Sequence, residues 1–295
     1  MKKLNITKNA KLLLLGAAAL LFSTTQAAAQ TQDNGCVNSG ADASAIGLRT
    51  AATGSQAFSS GYYTTASGSQ STVFGYRSVA TGYQSFSAGH WSSAIGRYSF
   101  ALGARAVTGS GGTHAMALGI DVRANANRSM TFGAGIGNGA LNAIQNNIPY
   151  SLMIGFNSTI PSLFVGPSSG AGTTGRVAIG TVNTPTTIGG QNISAYRLFV
   201  AGGILTEEVR VRTGWADYVF ADGYELPTLT EVGEFIDENG HLPNVPSAAQ
   251  VEEEGIEIGE ITRIQQEKIE ELTLYMIEMQ KEIEALKVRL EAQEN

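Results

Sequence analysis

The chain has one cysteine, three histidines and, between Lys11 and Lys268, no lysine at all. A single thiol excludes an internal disulfide and any zinc site built on cysteines. Cys36 is left either free or paired between chains of an oligomer. His90, His114 and His241 have no metal-ligand partner at a workable spacing, so no metal or cofactor site is read from them. The eight arginines between residues 31 and 200 are scattered without a cluster, which leaves nucleic-acid binding unsupported. The apolar run over 12–22 is too short to span a bilayer as a helix.

Glycine, by contrast, is abundant, with 36 in the chain, and ten of them stand seven residues apart. These are Gly40, Gly47, Gly54, Gly61, Gly68, Gly75, Gly82, Gly89, Gly96 and Gly103. A heptad normally suggests a coiled coil, yet a helical glycine costs roughly 1 kcal/mol relative to alanine. The repeat is therefore extended chain, with a turn expected at each glycine where φ > 0 is free of steric cost. From Gly47 on, two and four residues before each glycine stand only Ala, Ser, Thr or Val, such as Ala52, Thr50, Val73 and Ser71. Alternate residues of a strand share a face, so one face must point into a very narrow interior. The other carries Ile46, Phe58, Phe74, Phe86, Ile95, Phe100 and Leu102, which need a cover.

Two arms make a 14-residue coil of a flattened solenoid. Leu48, Tyr62, Tyr76 and His90 recur at that period and should stack at about 4.8 Å. Such a ladder serves either coil packing or contact with a glycan or surface. The wording Ser44-Ala45-Ile46-Gly47 and Ser93-Ala94-Ile95-Gly96, sustained over about 40–133, resembles the head repeats of trimeric autotransporter adhesins. That resemblance implies a left-handed parallel β-roll in which three chains associate and bury the bulky face. It departs from that family at its end, where 287–295 reads as charged helix rather than membrane strands, so the export route and anchor are unread.

The flanking regions differ in kind. Lys2, Lys3, Lys8 and Lys11 precede the apolar run, and Ala27-Ala28-Ala29 offers a cleavage site, so 1–29 reads as a signal peptide. Residues 31–200 hold eight arginines against three acids, a net of +5, whereas 201–295 carry a net of −15. Short strands separated by turns are expected over 177–181, 196–203 and 204–211. Thr228-x-x-Glu231 and Ser247-x-x-Gln250 are capping boxes, for helices ending at Gly240 and Gly255. From about Gly259 a helix runs onward with Ile269, Leu272, Met276, Met279, Ile283, Leu286 and Leu290 at alternating steps of three and four. The wording from Trp215-Ala216-Asp217-Tyr218 to Leu274-Tyr275 resembles phage-tail-fibre-like ends of secreted proteins. Some such ends self-cleave with a Ser/Lys pair, which the missing lysines disfavour.

Enzymatic signatures are weak. Gly166-Pro167-Ser168-Ser169-Gly170 matches a nucleophile elbow in letters, but its Pro, Gly and Ser setting disfavours a strand-turn-helix. Gly135-x-Gly137-x-x-Ala140 lacks the βαβ context of a dinucleotide site. The expectation is a mainly β chain with an α C-terminus: signal peptide 1–29, β-roll head 36–165, β junction 176–212, α-rich connector 213–258 and coiled coil 259–295. Functionally it reads as a non-enzymatic, exported homotrimeric fibre, adhesin-like, at the cell surface, outside the cell or in the periplasm. Its ligand would be a host, matrix or glycan surface. The alternative is a structural tail-fibre-like subunit whose C-terminal region is a trimerisation and folding clamp. No catalytic residue, cofactor or metal is assigned.

Overall fold

A computed structural model of the chain describes residues 35–137 and 142–294; the signal segment read over 1–29 and Ala140 lie outside the described residues. Two compact units result, residues 1–184 with 196–203 and residues 185–195 with 204–295. The first is a parallel β-solenoid. Five-residue strands, from Ser44–Leu48 through Phe58–Tyr62, Thr72–Tyr76, Phe86–His90 and onward to Leu152–Phe156, form one parallel sheet. Two- and three-residue strands from Val37–Asn38 to Ile144–Asn146 form the opposite one. Gly47, Gly61, Gly75, Gly89 and Gly103 pair in register across successive coils. Gly103 then pairs with Gly119 and Gly133 with Gly155, so inserted residues leave the ladder as loops without shifting it.

The glycines are required for a reason other than the turn expected at each. Only alternate ones have positive φ: Gly47, Gly61, Gly75, Gly89 and Gly103 do, while Gly40, Gly54, Gly68, Gly82 and Gly96 do not. The left-handed turn residues stand two places further on and are not glycine, as at Arg49, Gln56, Tyr63, Gln70 and Arg77. What every ladder glycine shares is a neighbour. A Cβ on Gly61 would lie 2.0 Å from the carbonyl oxygen of Gly75, and one on Gly68 would lie 2.0 Å from that of Gly82. The next coil's backbone occupies the space a side chain would need.

Between the sheets lies the small-residue interior. Ala45, Ala52, Ser59, Ala66, Val73, Ala80, Ser87, Ala94 and Ala101 are buried, as are Thr50, Thr64, Ser71, Ser78, Ser92 and Ser99. Many of the hydroxyls are used locally. Ser85 Oγ and Ser99 Oγ donate to the carbonyls of Gly82 and Gly96, both at 2.7 Å, and Ser78 and Ser92 donate across to Gly89 and Gly103. At these four positions serine fits where alanine fits and also satisfies a buried carbonyl, whereas the buried Ser71 and Ser87 hydroxyls have no partner among the described residues.

The solenoid ends where the interior widens. Ile144, Met153, Phe164 and Ala178 form a second core, and buried Asn146 donates to the carbonyls of Met130 and Ser151. Leu163–Val165 then pairs antiparallel with Leu152–Phe156, and Val177–Ile179 pairs antiparallel with it in turn. Reversing the chain stops further coils from adding. Leu198–Val200 completes this sheet, so the strands expected over 177–181 and 196–203 form in part, over Val177–Ile179 and Leu198–Val200, and extend the solenoid sheet. The strand expected over 204–211 is absent: these residues pair with nothing, and Leu205 is 102% exposed. A strand needs a partner for its ladder, and the described chain offers none there.

The second unit contains a small hairpin, Thr187–Ile188 with Gln191–Asn192, and three helices. Helix α1 (Leu229–Asn239) opens with the Thr228/Glu231 capping box and closes at left-handed Gly240. Helix α2 (Ala248–Glu254) opens with the Ser247/Gln250 box and closes at Gly255. Helix α3 (Ile258–Glu294) runs 37 residues. Thirty-seven residues are far more than one unit of this size can cover, and only its first half is packed.

Contact and conformation separate cleanly between two glycines of the solenoid unit. Gly68→Ala meets the Gly82 carbonyl without any positive φ, whereas Gly137→Ala meets nothing within 4 Å but has φ +138°. We expect Gly68→Ala to cost at least ~4 kcal/mol, because ladder hydrogen bonds on both sides of the coil must lengthen. Gly137→Ala should cost only about 1–3 kcal/mol of backbone strain. Chemical denaturation of both variants checks the order; equal costs would refute the contact explanation.

Candidate binding surface

With an interior this narrow, whatever the solenoid recognises must be met on its outside. Its two outward faces differ. On the five-residue sheet, the outward positions one and three before the glycine hold Phe58, Phe74, Phe86, Phe100, Leu102, Met116, Leu118, Met130 and Phe132. Phe58, Phe74, Phe86 and Phe100 touch in sequence at centroid separations of 5.3, 6.1 and 4.9 Å, and Phe74 is 42% exposed. The opposite sheet presents Thr53, Thr65, Ser67, Thr81 and Ser93 instead. The bulky residues grouped together in the sequence therefore divide, and Ile95 belongs to the hydroxyl-rich face.

The corner after each five-residue strand carries two parallel ladders. Tyr62, Tyr76 and His90 stack face to face at 5.2 and 5.0 Å, as their 14-residue spacing implied. Beside them, at the left-handed turn position, run Arg49, Tyr63, Arg77, Trp91, Arg105 and Asp121. Arg49 and Arg77 flank Tyr63, at 5.0 and 5.5 Å from its centroid, and Arg77 also lies 5.3 Å from Trp91. Arg49 donates to the Tyr63 hydroxyl. The series ends in an ion pair, Arg105 Nε to Asp121 Oδ1 at 2.5 Å, with Asp121 buried. That bond holds the Arg105 guanidinium above its ordinary pKa. Each exposed cation–π contact contributes about 0.5–1 kcal/mol.

Sequence reading found the Tyr62 ladder but missed the arginine ladder. The signal was present, since Arg49, Tyr63, Arg77, Trp91 and Arg105 are also 14 apart. The opposite corner has its own series. Gln70 donates to Gln56 at 2.8 Å and Gln84 to Gln70 at 2.6 Å, Tyr98 stacks on His114 at 4.8 Å, and Arg128 donates to the Tyr150 hydroxyl.

The other residues singled out from the sequence stand apart from one another. His90 and His114 belong to the two stacks, while His241 rests edge-on against Phe235 and approaches the Leu242 carbonyl through Nδ1. Ser168 is exposed in a loop, and its hydroxyl donates weakly to the Gly170 carbonyl at 3.4 Å. Half-buried Cys36 is a free thiol whose sulfur donates to the Gly47 carbonyl at 2.9 Å. Among the described residues no cluster of three His, Cys, Asp or Glu side chains could hold a metal, and no helix is long and apolar enough to cross a membrane.

In the second unit α3 is fixed by tyrosines. Tyr218 donates to Glu267, Tyr224 to Glu271 and Tyr275 to the Pro227 carbonyl, while Lys268 pairs with Glu267 at 3.0 Å and Glu271 at 2.9 Å. Arg263 donates to Tyr218 and pairs with Glu260 at 2.5 Å. Burial and the Glu271 carboxylate push the Tyr224 phenol far above its usual value. A cavity of about 300 Å³ lies here, lined in part by Pro227, Leu229, Val232, Leu242, Leu272 and Tyr275. The Lys268, Tyr224 and Tyr275 groups at its wall are already engaged in those bonds. Along α3, the seam Ile269, Leu272, Met276, Met279, Ile283, Leu286 and Leu290 is uncovered, at 46% exposure for Met279 and 65% for Met276.

Residues 59–85 and 80–106 each match the YadA head domain repeat. The matched coils are those that carry the phenylalanine, tyrosine and arginine ladders. Trimeric-autotransporter-adhesin-like head repeats thus build the solenoid, in agreement with the resemblance drawn from the sequence. No curated protein matches the chain.

The buried carboxylate on α3 makes a pH prediction. Burial pushes Glu267 up, but the bonds from Tyr218, Lys268 and Asn244 outweigh it and hold the carboxyl below its ordinary value. A carboxyl lowered on folding stabilises fully above its unfolded value, near pH 4.5, and that contribution is lost as pH falls through the folded value. Helix α3 should therefore detach at a lower temperature as pH drops below about 4.5. Thermal melts followed by helical circular dichroism check this; Glu267→Gln should be less stable at pH 7 and show a flatter acid limb.

Proposed function

We propose, from a head of YadA-type repeats, that the protein is an exported homotrimeric surface fibre that presents its solenoid multivalently, without enzymatic activity. One observation carries it: the chain leaves a continuous apolar face uncovered along its five-residue sheet, where Phe74, Leu102, Leu118 and Met130 are all exposed. A soluble monomer seldom exposes so extended an apolar strip. Side-by-side association of three heads removes it from water. The uncovered seam of α3 calls for association at the other end of the chain too, as a coiled coil over 259–295, while the number of strands follows from the head resemblance. In this reading 1–29 is the signal peptide, 36–165 the head, 176–212 the junction and 213–258 the connector.

Three weak sites on one stalk bind a repetitive surface far more tightly than one, since the second and third contacts are intramolecular. That is how a fibre without a pocket acts as an adhesin. A clamp role for the C-terminal unit is favoured by one further observation, the tyrosine and lysine bonds that hold the start of α3 in a single orientation. A helix so fixed sets the register of its partners.

Light scattering on the mature chain should give three times the chain mass. Ile269→Asp with Ile283→Asp should shift it toward monomer, each buried charge costing several kcal/mol. A wild-type monomer refutes the proposal. Replacing 259–295 by an unrelated trimeric coiled coil separates the two roles: restored trimer and restored surface binding identify the adhesin, whereas a head that stays insoluble identifies an indispensable folding clamp.

A further inference from the structure

The arginine ladder has chemistry that coil packing does not use. Among the described residues Arg49 and Arg77 make no carboxylate contact, unlike Arg105, whose charge buried Asp121 compensates. Both guanidinium groups are exposed, as is Trp91 at 49%. Arg77 lies over Trp91, but Arg105 turns away to Asp121. One indole face is thereby left without a guanidinium over it.

Solenoid geometry sets the spacing. Arg49 and Arg77 are two coils apart, so their charges recur at about 9.6 Å, twice the strand separation. Tyr63 stands between them, within cation–π distance of both guanidinium groups, which restrains them. A planar fork held in this way loses little entropy on engaging a carboxylate or sulfate. Burying such charges between chains would be costly, which leaves the phenylalanine face as the one to be covered and this corner facing outward.

We infer that Arg49, Tyr63, Arg77 and Trp91 form a subsite for an extended acidic polysaccharide. The two guanidinium groups engage anionic groups on alternate sugars, and the open indole face stacks on a ring beyond them. The wide charge spacing selects this ligand over nucleic acid, whose strands carry a charge about every 3.4 Å along the axis. Most phosphates of a nucleic acid laid on this strip would be unpaired. Neutral glycans would leave both guanidinium groups unused. The inference rests on the multivalent fibre proposed above, because two charges per chain give a weak but measurable affinity that three chains multiply.

Biosensor binding of the full-length mature protein to immobilised heparin, hyaluronan, neutral dextran and single-stranded DNA, between 50 and 200 mM salt, tests it. We expect binding to one or both acidic polysaccharides that weakens with salt, and little binding to dextran or DNA. Arg49→Gln with Arg77→Gln should lower that affinity by about tenfold or more, and Trp91→Ala by about fivefold. Arg123→Gln, on the opposite sheet, removes the same charge elsewhere and should change it less than about twofold. Unchanged mass and melting temperature of each variant exclude a folding effect. Absent polysaccharide binding, a preference for DNA or dextran, or an equal loss in Arg123→Gln overturns the subsite. A trimeric protein with any of those outcomes leaves the fibre reading standing; a monomer fails the fibre reading, and Arg49→Gln/Arg77→Gln then still decides whether the strip binds.

Discussion

The structure depends on one contact, the approach of each coil's backbone to the glycine of the coil before it. A carbonyl oxygen sits about where a Cβ would be, at 1.9 to 2.1 Å along the ladder from Gly40 to Gly103. This closeness holds the short strands in register even where an arm is only two residues long. It also flattens the coil, because the two arms cannot separate without lengthening bonds to both neighbours. The interior that results admits mainly Ala, Ser, Thr and Val, and among the described residues larger side chains such as Ile144, Asn146, Met153 and Phe164 enter where the chain is about to reverse.

From that narrowness the location of function follows. A solenoid with no room for a ligand presents its chemistry on the outside, in columns that repeat every coil. The columns are distinct because alternation in each strand, two unlike arms and two corners place each residue of the 14 in its own environment. Apolar rings gather on one sheet, hydroxyls on the other, and arginine alternates with aromatics at one corner. Stacking turns weak pairwise contacts into continuous strips, and trimerisation would multiply each strip by three.

Much of this was legible from residue spacing. The small positions two and four before glycine are the buried ones, the Tyr62–Tyr76–His90 stack forms, and both capping boxes open helices that end where Gly240 and Gly255 stand. Other features were harder to read. Glycine suggested positive φ and a turn, but left-handed conformation falls at Arg49, Gln56 and Tyr63, which the stacked coils hold in place despite the usual steric cost. Apolar letters over 204–211 suggested a strand, yet pairing is a property of two segments and no second one is there. The arginine column was visible at the 14-residue period, but the same residues look scattered when counted along the chain.

The sequence by itself determined the period, the identity of the interior positions and the helix ends, because each is set by local sterics and local hydrogen bonds. Only the tertiary structure decided which glycines bend and which merely make room, which sheet receives the phenylalanines, and where the solenoid stops. It also joined Arg105 to Asp121 across an inserted loop and, among the described residues, left Arg49 and Arg77 without a counter-charge. The physical reason is the same in each case: these outcomes depend on what the neighbouring coil places within a few ångströms, and beyond Gly103 inserted loops also take that neighbour off the 14-residue spacing.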